Sequence, residues 1–356
     1  MGVFGTIAIT VLVFGFLIFI HEFGHYITAR IFHVTINEFS IGMGPRLFSY
    51  TSKKTNIKYS VAAFPIGGFV AMAGEDGMDD SDPFSPDDPN SFDKKPAWQR
   101  FIITFAGAFV NVVMGIIAMI ILTSMIKIGN TTVVDFVDSE EYGYEVSSED
   151  SGLMAGDVIT GIDGKRVRIL DQLSYEIMRR GYEPVDVTVI RGGKELTIPD
   201  VVFPTMTDGG QNFGAMDFRV KAVDKDFGSV MRYAWNKSTL IIRMCWESLY
   251  DLITGRYTIA AVSGPVGMST AIGEAASEGP TTLLYLVALI SINLGVMNLL
   301  PIPALDGGRL ITILFEMITR KKVPPKIEGI INAVGLSVLL AFSFFIMIKD
   351  IVQIII

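Results

Sequence analysis

Four long apolar segments constrain this chain more than any other feature of its sequence. They run over about 3–31, 101–126, 281–300 and 330–348. Each is near or above the roughly 20 residues that a helix needs to cross a bilayer core of about 30 Å. Half of the 356 residues are hydrophobic and the mean hydropathy is +0.46, which is high for a soluble protein. We therefore predict an α-helical polytopic membrane protein with four transmembrane helices.

Charge and cysteine content narrow the partners and metal sites that the chain can have. The formal net charge is −8 and the sequence holds no block of basic residues, so we expect no nucleic-acid partner. The single cysteine, Cys245, excludes an internal disulfide and cannot by itself form a thiolate metal site. Any bound metal must therefore rest on histidines and carboxylates.

The distribution of Lys and Arg predicts the orientation of the spans. The loop at 32–100 and the short loop after the third span are rich in these residues, whereas the two chain ends carry few. The positive-inside rule then places both loops in the cytoplasm and both termini outside. The segment 127–280 is expected to be extracytoplasmic, because long domains translocate largely regardless of their charge.

The first apolar segment contains the stretch His21-Glu22-Phe23-Gly24-His25, which holds two of the three histidines of the chain. Histidines four residues apart project from the same face of a helix and can bind one Zn²⁺, while the adjacent glutamate can act as a base on water. The alternative is a pair of histidines that are merely hydrogen-bonded inside a helical bundle. Ionisable groups are costly within a spanning helix and usually functional there, which favours the metal site.

The third apolar segment runs into Asn-Leu-Leu-Pro-Ile-Pro-Ala-Leu-Asp-Gly-Gly at 298–308. Two prolines one residue apart break the helix, so Asp306 should lie on irregular backbone that faces protein or a cavity. Both this span and the first run from outside to inside, and their lengths place Asp306 and the two histidines at similar depth. Two histidines and one carboxylate leave a fourth zinc position for water, as in hydrolytic sites. Asp306 could alternatively cap a turn in Leu-Asp-Gly-Gly.

Three further regions show patterns of their own. Between residues 39 and 74 the sequence predicts strands at 39–41 and 57–61, then an apolar hairpin-like piece at 64–74 that turns at Gly67-Gly68 and associates with the membrane. The segment 131–203 has strand and helix patterns, and Gly152-Leu153-Met154-Ala155-Gly156-Asp157 resembles the signature of PDZ domains, which bind extended chains at a sheet edge. Another small β-rich module remains the alternative.

From Phe227 to Ile259 apolar and charged residues alternate at helical spacing, which predicts an amphipathic helix. It would lie on the membrane surface or pack on the PDZ-like domain. The predicted membrane domain has two halves, at 1–126 and 281–356. Between them we predict an inserted extracytoplasmic PDZ-like α+β domain at 127–205 and an amphipathic membrane-surface region at 206–280.

Several motifs together resemble the site-2 protease family of intramembrane zinc metalloproteases, in its bacterial RseP type. They are His-Glu-x-x-His in the first span, Gly107-Ala108-Phe109-Val110-Asn111 in the second, the PDZ-like segment, and Asn-x-x-Pro-x-Pro-x-Leu-Asp-Gly at the end of the third. Two features depart from the family pattern, since only one PDZ-like segment is present and Ala108 stands where proline is usual. The resemblance implies zinc bound by His21, His25 and Asp306, Glu22 as general acid and base, Asn298 as a contact to the substrate backbone, and an edge strand at Gly67, Gly68 and Phe69.

The expected function is that of an intramembrane zinc endopeptidase in the bacterial plasma (inner) membrane. Its partners would be the lipid bilayer and single-pass membrane proteins already shortened outside by another protease, such as an anti-sigma factor or a remnant signal peptide. One rival is a PDZ-containing membrane adaptor or chaperone with a non-catalytic zinc site, which would not need Glu22. A second rival is a metal transporter, although three ligands at one depth form a site and no chain of polar residues crosses the bilayer.

Overall fold

The computed structural model of the chain describes residues 2–75, 88–137, 147–208, 211–256 and 262–355. Residues 257–259 of the predicted amphipathic stretch lie outside the described residues. The chain divides into two compact units, one formed by 1–118 with 241–356 and the other by 119–240. The helices, in chain order, are α1 (Val3–Ile31), α2 (Ala97–Met125), α3 (Leu170–Arg180), α4 (Phe227–Thr254), α5 (Pro265–Glu278), α6 (Pro280–Asn298), α7 (Asp306–Thr319) and α8 (Pro325–Ile355).

The strands form three sheets within the described residues. Two of these sheets are isolated antiparallel pairs, β1 with β2 and β8 with β9, and the third has six strands in the order β10-β3-β4-β6-β7 with β5 beside β4. The strands are β1 (Ile36–Thr51), β2 (Lys58–Met72), β3 (Gly129–Phe136), β4 (Val158–Ile162), β5 (Lys165–Arg166), β6 (Val185–Arg191), β7 (Lys194–Val201), β8 (Thr205–Asp208), β9 (Gln211–Gly214) and β10 (Phe218–Ala222).

Helices α1, α2, α6 and α8 are long and apolar enough to cross a membrane. They correspond to the four predicted spans, which confirms that part of the fold. Helix α2 begins earlier than predicted, at Ala97, because Arg100 is accommodated inside the first unit. Its guanidinium donates to Glu316 at 2.5 Å and to the carbonyl of Lys95 at 3.1 Å.

The tip of the β1–β2 hairpin lies at 52–57, and β2 also changes direction near the predicted turn at Gly67-Gly68, because 58–61 run parallel to 38–41 whereas 68–72 run antiparallel to the same residues. Gly67, which has a left-handed φ of +81°, lies within the stretch between 61 and 68 where this change of direction takes place. Phe39 of β1 lies opposite both Tyr59 and Val70 of β2. The segment 38–41 therefore has β2 residues on both of its sides, and 68–72 has β-partners on one side only among the described residues.

Helix α5 was not foreseen, because its Gly-, Ala- and Ser-rich sequence carries little apolar periodicity. Small residues let it approach α1 closely: a Cβ added at Gly273 would lie 2.6 Å from Thr6 Cγ2, and the hydroxyls of Thr10 and Ser269 are 3.1 Å apart. The carboxylate of Asp350 accepts hydrogen bonds from the backbone N–H groups at the start of α5. Tertiary packing thus forms a helix where local sequence predicts little.

The second unit contains the six-stranded sheet, whose apolar side chains form one core with Leu173 and Ile177 of α3. The strand and helix patterns predicted within 131–203 are present, among them α3 and the hairpin of β6 and β7 at Gly192-Gly193. Asp157 of the Gly-Asp pair is buried, accepts from the N–H of Met154 and forms a bidentate ion pair with Arg191 at 2.7 Å. Strand β10 pairs with β3, so this sheet continues beyond residue 205.

Candidate metal centre

Helix α1 brings the two histidines together on one face. Their Nε2 atoms are 3.3 Å apart, as the four-residue spacing predicts. The Nδ1 atom of His25 lies 2.8 Å from the carbonyl oxygen of Ile103 on α2. A carbonyl can only accept, so this Nδ1 carries the hydrogen and Nε2 keeps a lone pair for a metal.

Asp306 reaches the same point as the first residue of α7, directly after the irregular stretch that follows α6, and not on irregular backbone as predicted. Helix α6 ends at Asn298, as the two prolines predict, and α7 begins at Asp306 itself. The carboxylate Oδ2 of Asp306 lies 3.3 Å from Nε2 of His21 and 3.4 Å from Nε2 of His25. The sequence-based inference that the three side chains share one depth is therefore matched by a close cluster of their donor atoms.

These donor atoms fit a tetrahedral metal ion. At Zn²⁺ distances of about 2.0–2.1 Å, two tetrahedral ligands are about 3.3 Å apart, which is the spacing of all three pairs. Asp306 Oδ2 is buried and accepts no hydrogen bond within the described residues. Gly107 of α2 faces the cluster, and a Cβ there would overlap Nε2 of His25 and lie 2.9 Å from Cε1 of His21. The residues present thus suit a metal and leave space for one.

Glu22 lies on α1 between the two histidines and is buried. Gly68 of β2 packs against Glu22, and a Cβ added at Gly68 would lie 2.9 Å from Glu22 Cγ. A buried carboxylate next to a site of two histidines and one carboxylate is the arrangement that metal-assisted hydrolysis requires.

Two asparagines approach the outer side of the His21 ring. The amide nitrogen of Asn111 on α2 lies 3.2 Å from Nδ1 of His21, and that of Asn298 at the end of α6 lies 3.4 Å from it. The sequence prediction for Asn298 was a contact to substrate, and the structure places it within reach of the centre. Asn111 had been noted only as part of a motif.

The three remaining predicted residues, Gly67, Gly68 and Phe69, lie together on β2. Gly68 contacts α1 at Glu22 and Ile18, Gly67 faces the side chain of Met43, and Phe69 is 37% exposed. Within the part of the chain that the structure describes, Gly68 and Phe69 pair with β1 on one side and have no strand partner on the other. Their backbone therefore forms a sheet edge close to Glu22.

The same sheet combines a buried carboxylate, which is paired with an exposed arginine, with an exposed apolar end. Glu38 accepts two hydrogen bonds from Arg46, at 2.8 and 2.7 Å, and one from Ser60 at 2.6 Å. Burial alone would raise the pKa of Glu38, but these bonds and the charge of Arg46 hold that pKa below its ordinary value. Large apolar side chains are exposed elsewhere on β1 and β2, at Met43, Leu47, Phe48 and Phe64.

Helices α7 and α8 hold the segment that carries Asp306. Ala304 has a left-handed φ of +73°, and its N–H donates to Asn332 of α8 at 3.3 Å. A Cβ at Gly335 of α8 would overlap Pro303. Arg309 pairs with the carboxylate of Glu75 and lies 4.8 Å from the centre of the Phe92 ring.

Sequence reasoning missed these supporting residues. Asn332 and Gly335 lie in an apolar helix with no motif around them. Gly107 and Asn111 did carry a signal, because their four-residue spacing places both on the face of α2 that meets α1.

Comparisons with known proteins agree with this chemistry. The model of peptidase family M50 matches residues 9–342. The chain is 33% identical over 350 residues to a protein described as a zinc metalloprotease in Clostridium acetobutylicum, with 98% of each chain covered. It is 32% identical over 361 residues to another so described in Fusobacterium nucleatum, covering 97% of this chain and 98% of that one. It is 28% identical over 425 residues to zinc metalloprotease RasP of Shouchella clausii, covering 97% and 98%.

Proposed function

Because the chain belongs to peptidase family M50 and is a zinc metalloprotease, we propose that it is an intramembrane endopeptidase of the site-2 protease type that cleaves transmembrane segments of single-pass membrane proteins. One observation carries the proposal: three metal-binding atoms about 3.3 Å apart lie with Glu22 among helices long and apolar enough to span a bilayer. A peptidase site in that setting is suited to substrates that lie in the membrane.

His21, His25 and Asp306 would hold the zinc ion, each through the atom that faces the other two. When bound, zinc supplies Lewis acidity, which polarises the scissile carbonyl and lowers the pKa of the attacking water. The carbonyl of Ile103 keeps the hydrogen of His25 on Nδ1 and so keeps Nε2 available. Gly107 keeps the space beside the histidines free.

Glu22 would carry the proton. As a carboxylate it accepts a proton from water as the water attacks the peptide carbon, and it then gives that proton to the departing amine. Its burial beside Gly68 holds it next to the backbone that we propose binds the substrate.

The substrate must be unwound before cleavage, because the peptide bonds of a transmembrane helix are covered by its own hydrogen bonds. We propose that the free edge at Gly68 and Phe69 pairs with an extended substrate segment, and that Gly67 allows the bend that exposes this edge. Strand addition would replace the hydrogen bonds that the substrate helix loses. Asn298 would bind the substrate backbone near the cleaved bond. The exposed apolar side chains of β1 and β2 suit immersion of this sheet in the membrane surface.

For the rest of the chain we propose the arrangement of the bacterial RseP type. The protein would lie in the plasma (inner) membrane with both termini and the second unit outside, as the Lys and Arg distribution predicts. The second unit would act as a single PDZ-like gate that admits substrates already trimmed by another protease. The exposed Trp235, Trp246 and Tyr250 of α4 suit a helix that lies on the outer membrane surface.

The test of the proposed chemistry is Glu22→Gln. The amide can neither accept nor return the proton, so we expect cleavage to fall by about 10²–10⁴-fold or more while zinc and fold are kept. Zinc content and cleavage of a transmembrane peptide should be measured on one preparation, with Phe23→Leu as a control for substitution in the same turn. Near-normal turnover by Glu22→Gln would remove this residue from the mechanism.

The gate can be tested by deleting residues 129–222. The N–H of Val223 donates to the carbonyl of Ile128 at 2.9 Å, so a very short linker can join the two ends. We expect the shortened enzyme to cut an untrimmed substrate and to keep cutting the trimmed one, because a gate acts mainly by steric exclusion. Both substrates belong in the same membranes at matched enzyme levels, with Glu22→Gln as the blank. If the trimmed substrate is no longer cut and the untrimmed one stays intact, the unit recruits substrate and does not gate it.

A further inference from the structure

The hydrogen bond on Nδ1 decides whether a histidine can ligate through Nε2. A neutral imidazole carries one hydrogen, so an Nε2 that ligates a metal requires that hydrogen on Nδ1, facing an acceptor. His25 meets this requirement through the carbonyl of Ile103 at 2.8 Å. His21 has two asparagine side chains at this position instead.

Both asparagines present their amide nitrogens to Nδ1 of His21, at 3.2 Å for Asn111 and 3.4 Å for Asn298. An amide nitrogen only donates, so this arrangement suits the tautomer with hydrogen on Nε2, which cannot ligate. The oxygen and nitrogen of an amide exchange places by a half-turn of the group, and their assignment follows the surrounding hydrogen bonds. Metal binding therefore requires that one asparagine turn its oxygen towards His21.

The burial of the two amides identifies which one turns. Asn111 is 0% exposed, and its Oδ1 is buried with no hydrogen-bond partner within the described residues. A half-turn of this amide brings that unpartnered acceptor to Nδ1 of His21. Asn298 is half-buried, and its oxygen is not among the unpartnered buried atoms. His21 Nδ1 carries one hydrogen, so one acceptor is sufficient.

We propose that Asn111 is the positioning residue of the metal centre, accepting the Nδ1 hydrogen of His21 so that Nε2 faces the zinc. Asn298 is then left available for substrate. This inference rests on the proposed zinc ligands. The hydroxyl of Ser291 on α6 donates to the backbone carbonyl of Asn111 at 2.7 Å, which fixes α2 at this turn without touching the imidazole.

The test is the zinc affinity of the purified full-length protein in detergent, measured by competition with a chelator. Asn111→Leu keeps the branched shape of the side chain but has no acceptor, and we expect it to weaken zinc binding about 10–100-fold, as loss of a ligand's supporting hydrogen bond does in metal sites. Asn111→Asp keeps an acceptor and has no donor, so it should bind zinc near the wild-type level. Ser291→Ala and Asn298→Leu are matched controls that should also stay near wild type.

Three results for zinc affinity would contradict the role of Asn111. Wild-type affinity in Asn111→Leu, a loss in Asn111→Asp as large as in Asn111→Leu, or an equal loss in Asn298→Leu would overturn the assignment. The zinc-free melting temperature of Asn111→Leu should match that of the wild type, and a large fall would indicate a merely structural role. If the leucine variant does not fold, Asn111→Ala replaces it with the same expectation. If His21→Ala retains zinc, His21 is not a ligand. That result concerns the proposed metal site and not the role of Asn111.

Discussion

The two halves of the metal centre are built in opposite ways. His21 and His25 lie on the regular helix α1, where a spacing of four residues is enough to bring their Nε2 atoms to 3.3 Å. Asp306 follows a broken stretch with a left-handed Ala304, and helix α8 holds this stretch through Asn332 and contacts it at Gly335. The helical half is specified locally, whereas the loop half depends on distant residues.

This difference predicts where the centre tolerates change. A helix keeps its two ligands in register as long as it remains a helix, and α2 behind it leaves space for them and contacts Nδ1 of each histidine. The loop half stores the cost of a left-handed alanine, about 1–2 kcal/mol, which neighbouring contacts must offset. The loop can shift to relieve an added contact and the helix cannot, so we expect a comparable substitution to weaken zinc binding more at the histidines than at Asp306.

The largest expected effect is loss of zinc, and it tests whether Asp306 is as necessary for zinc binding as the histidines. Asp306→Ala and His25→Ala should each abolish zinc retention after dialysis, because a site with two remaining ligands rarely holds the ion. Metal analysis of the purified proteins gives the result. Leu305 and Gly307 flank Asp306 in the sequence, so no adjacent carboxylate can substitute for it.

If Asp306→Ala keeps its zinc while His25→Ala loses it, Asp306 is not a zinc ligand. The third ligand would then lie elsewhere, and the irregular segment would have no part in binding the metal. A control variant for the loop is Thr319→Ala, which removes an exposed hydroxyl from the last turn of α7.

We expect a smaller loss of zinc affinity when a methyl group is added at the glycines that pack against the histidines or against the segment before Asp306. Gly107→Ala would overlap Nε2 of His25, and Gly335→Ala would overlap Pro303 of the segment before Asp306. Overpacking typically costs about 1–3 kcal/mol. We expect weaker zinc binding in both, about 10-fold or more for Gly107→Ala and less for Gly335→Ala, because the loop can shift. Chelator competition measures both, and a larger loss in Gly335→Ala would reverse our ranking of the halves by rigidity.

The smallest effect isolates the support of the loop. Asn332→Ala removes the acceptor of the Ala304 N–H, and loss of one hydrogen bond costs about 1 kcal/mol, or roughly fivefold in zinc affinity if Asp306 moves with it. Ala304→Gly should restore affinity in the double variant, since glycine adopts the left-handed conformation without strain.

The rescue separates support of the backbone from a general loss of packing. If Asn332→Ala leaves zinc affinity unchanged, the hydrogen bond between Ala304 and Asn332 does not support the metal centre. A double variant no better than Asn332→Ala would show that strain at Ala304 is not what the contact offsets.

The sequence predicted the parts of this protein that depend on periodicity and on short motifs. The four spanning helices, the histidine pair and the break before Asp306 follow from local residues. Gly67-Gly68 lies where β2 changes direction, but the sequence could not show that 58–61 and 68–72 lie on opposite sides of 38–41, because this depends on pairing with β1. Helix α5 and the supports at Asn332 and Gly335 were missed because they depend on contacts between residues far apart in the chain.

The hydrogen bond between Ile128 and Val223 also has an evolutionary meaning. Because the first and last strands of the sheet, β3 and β10, are paired, the whole segment 129–222 starts and finishes at neighbouring backbone positions. Chain segments whose ends are close together are the ones that can be inserted, duplicated or lost as cassettes without rebuilding their host. Relatives with a different number of such cassettes can therefore arise while the helices that carry the histidines and Asp306 stay the same.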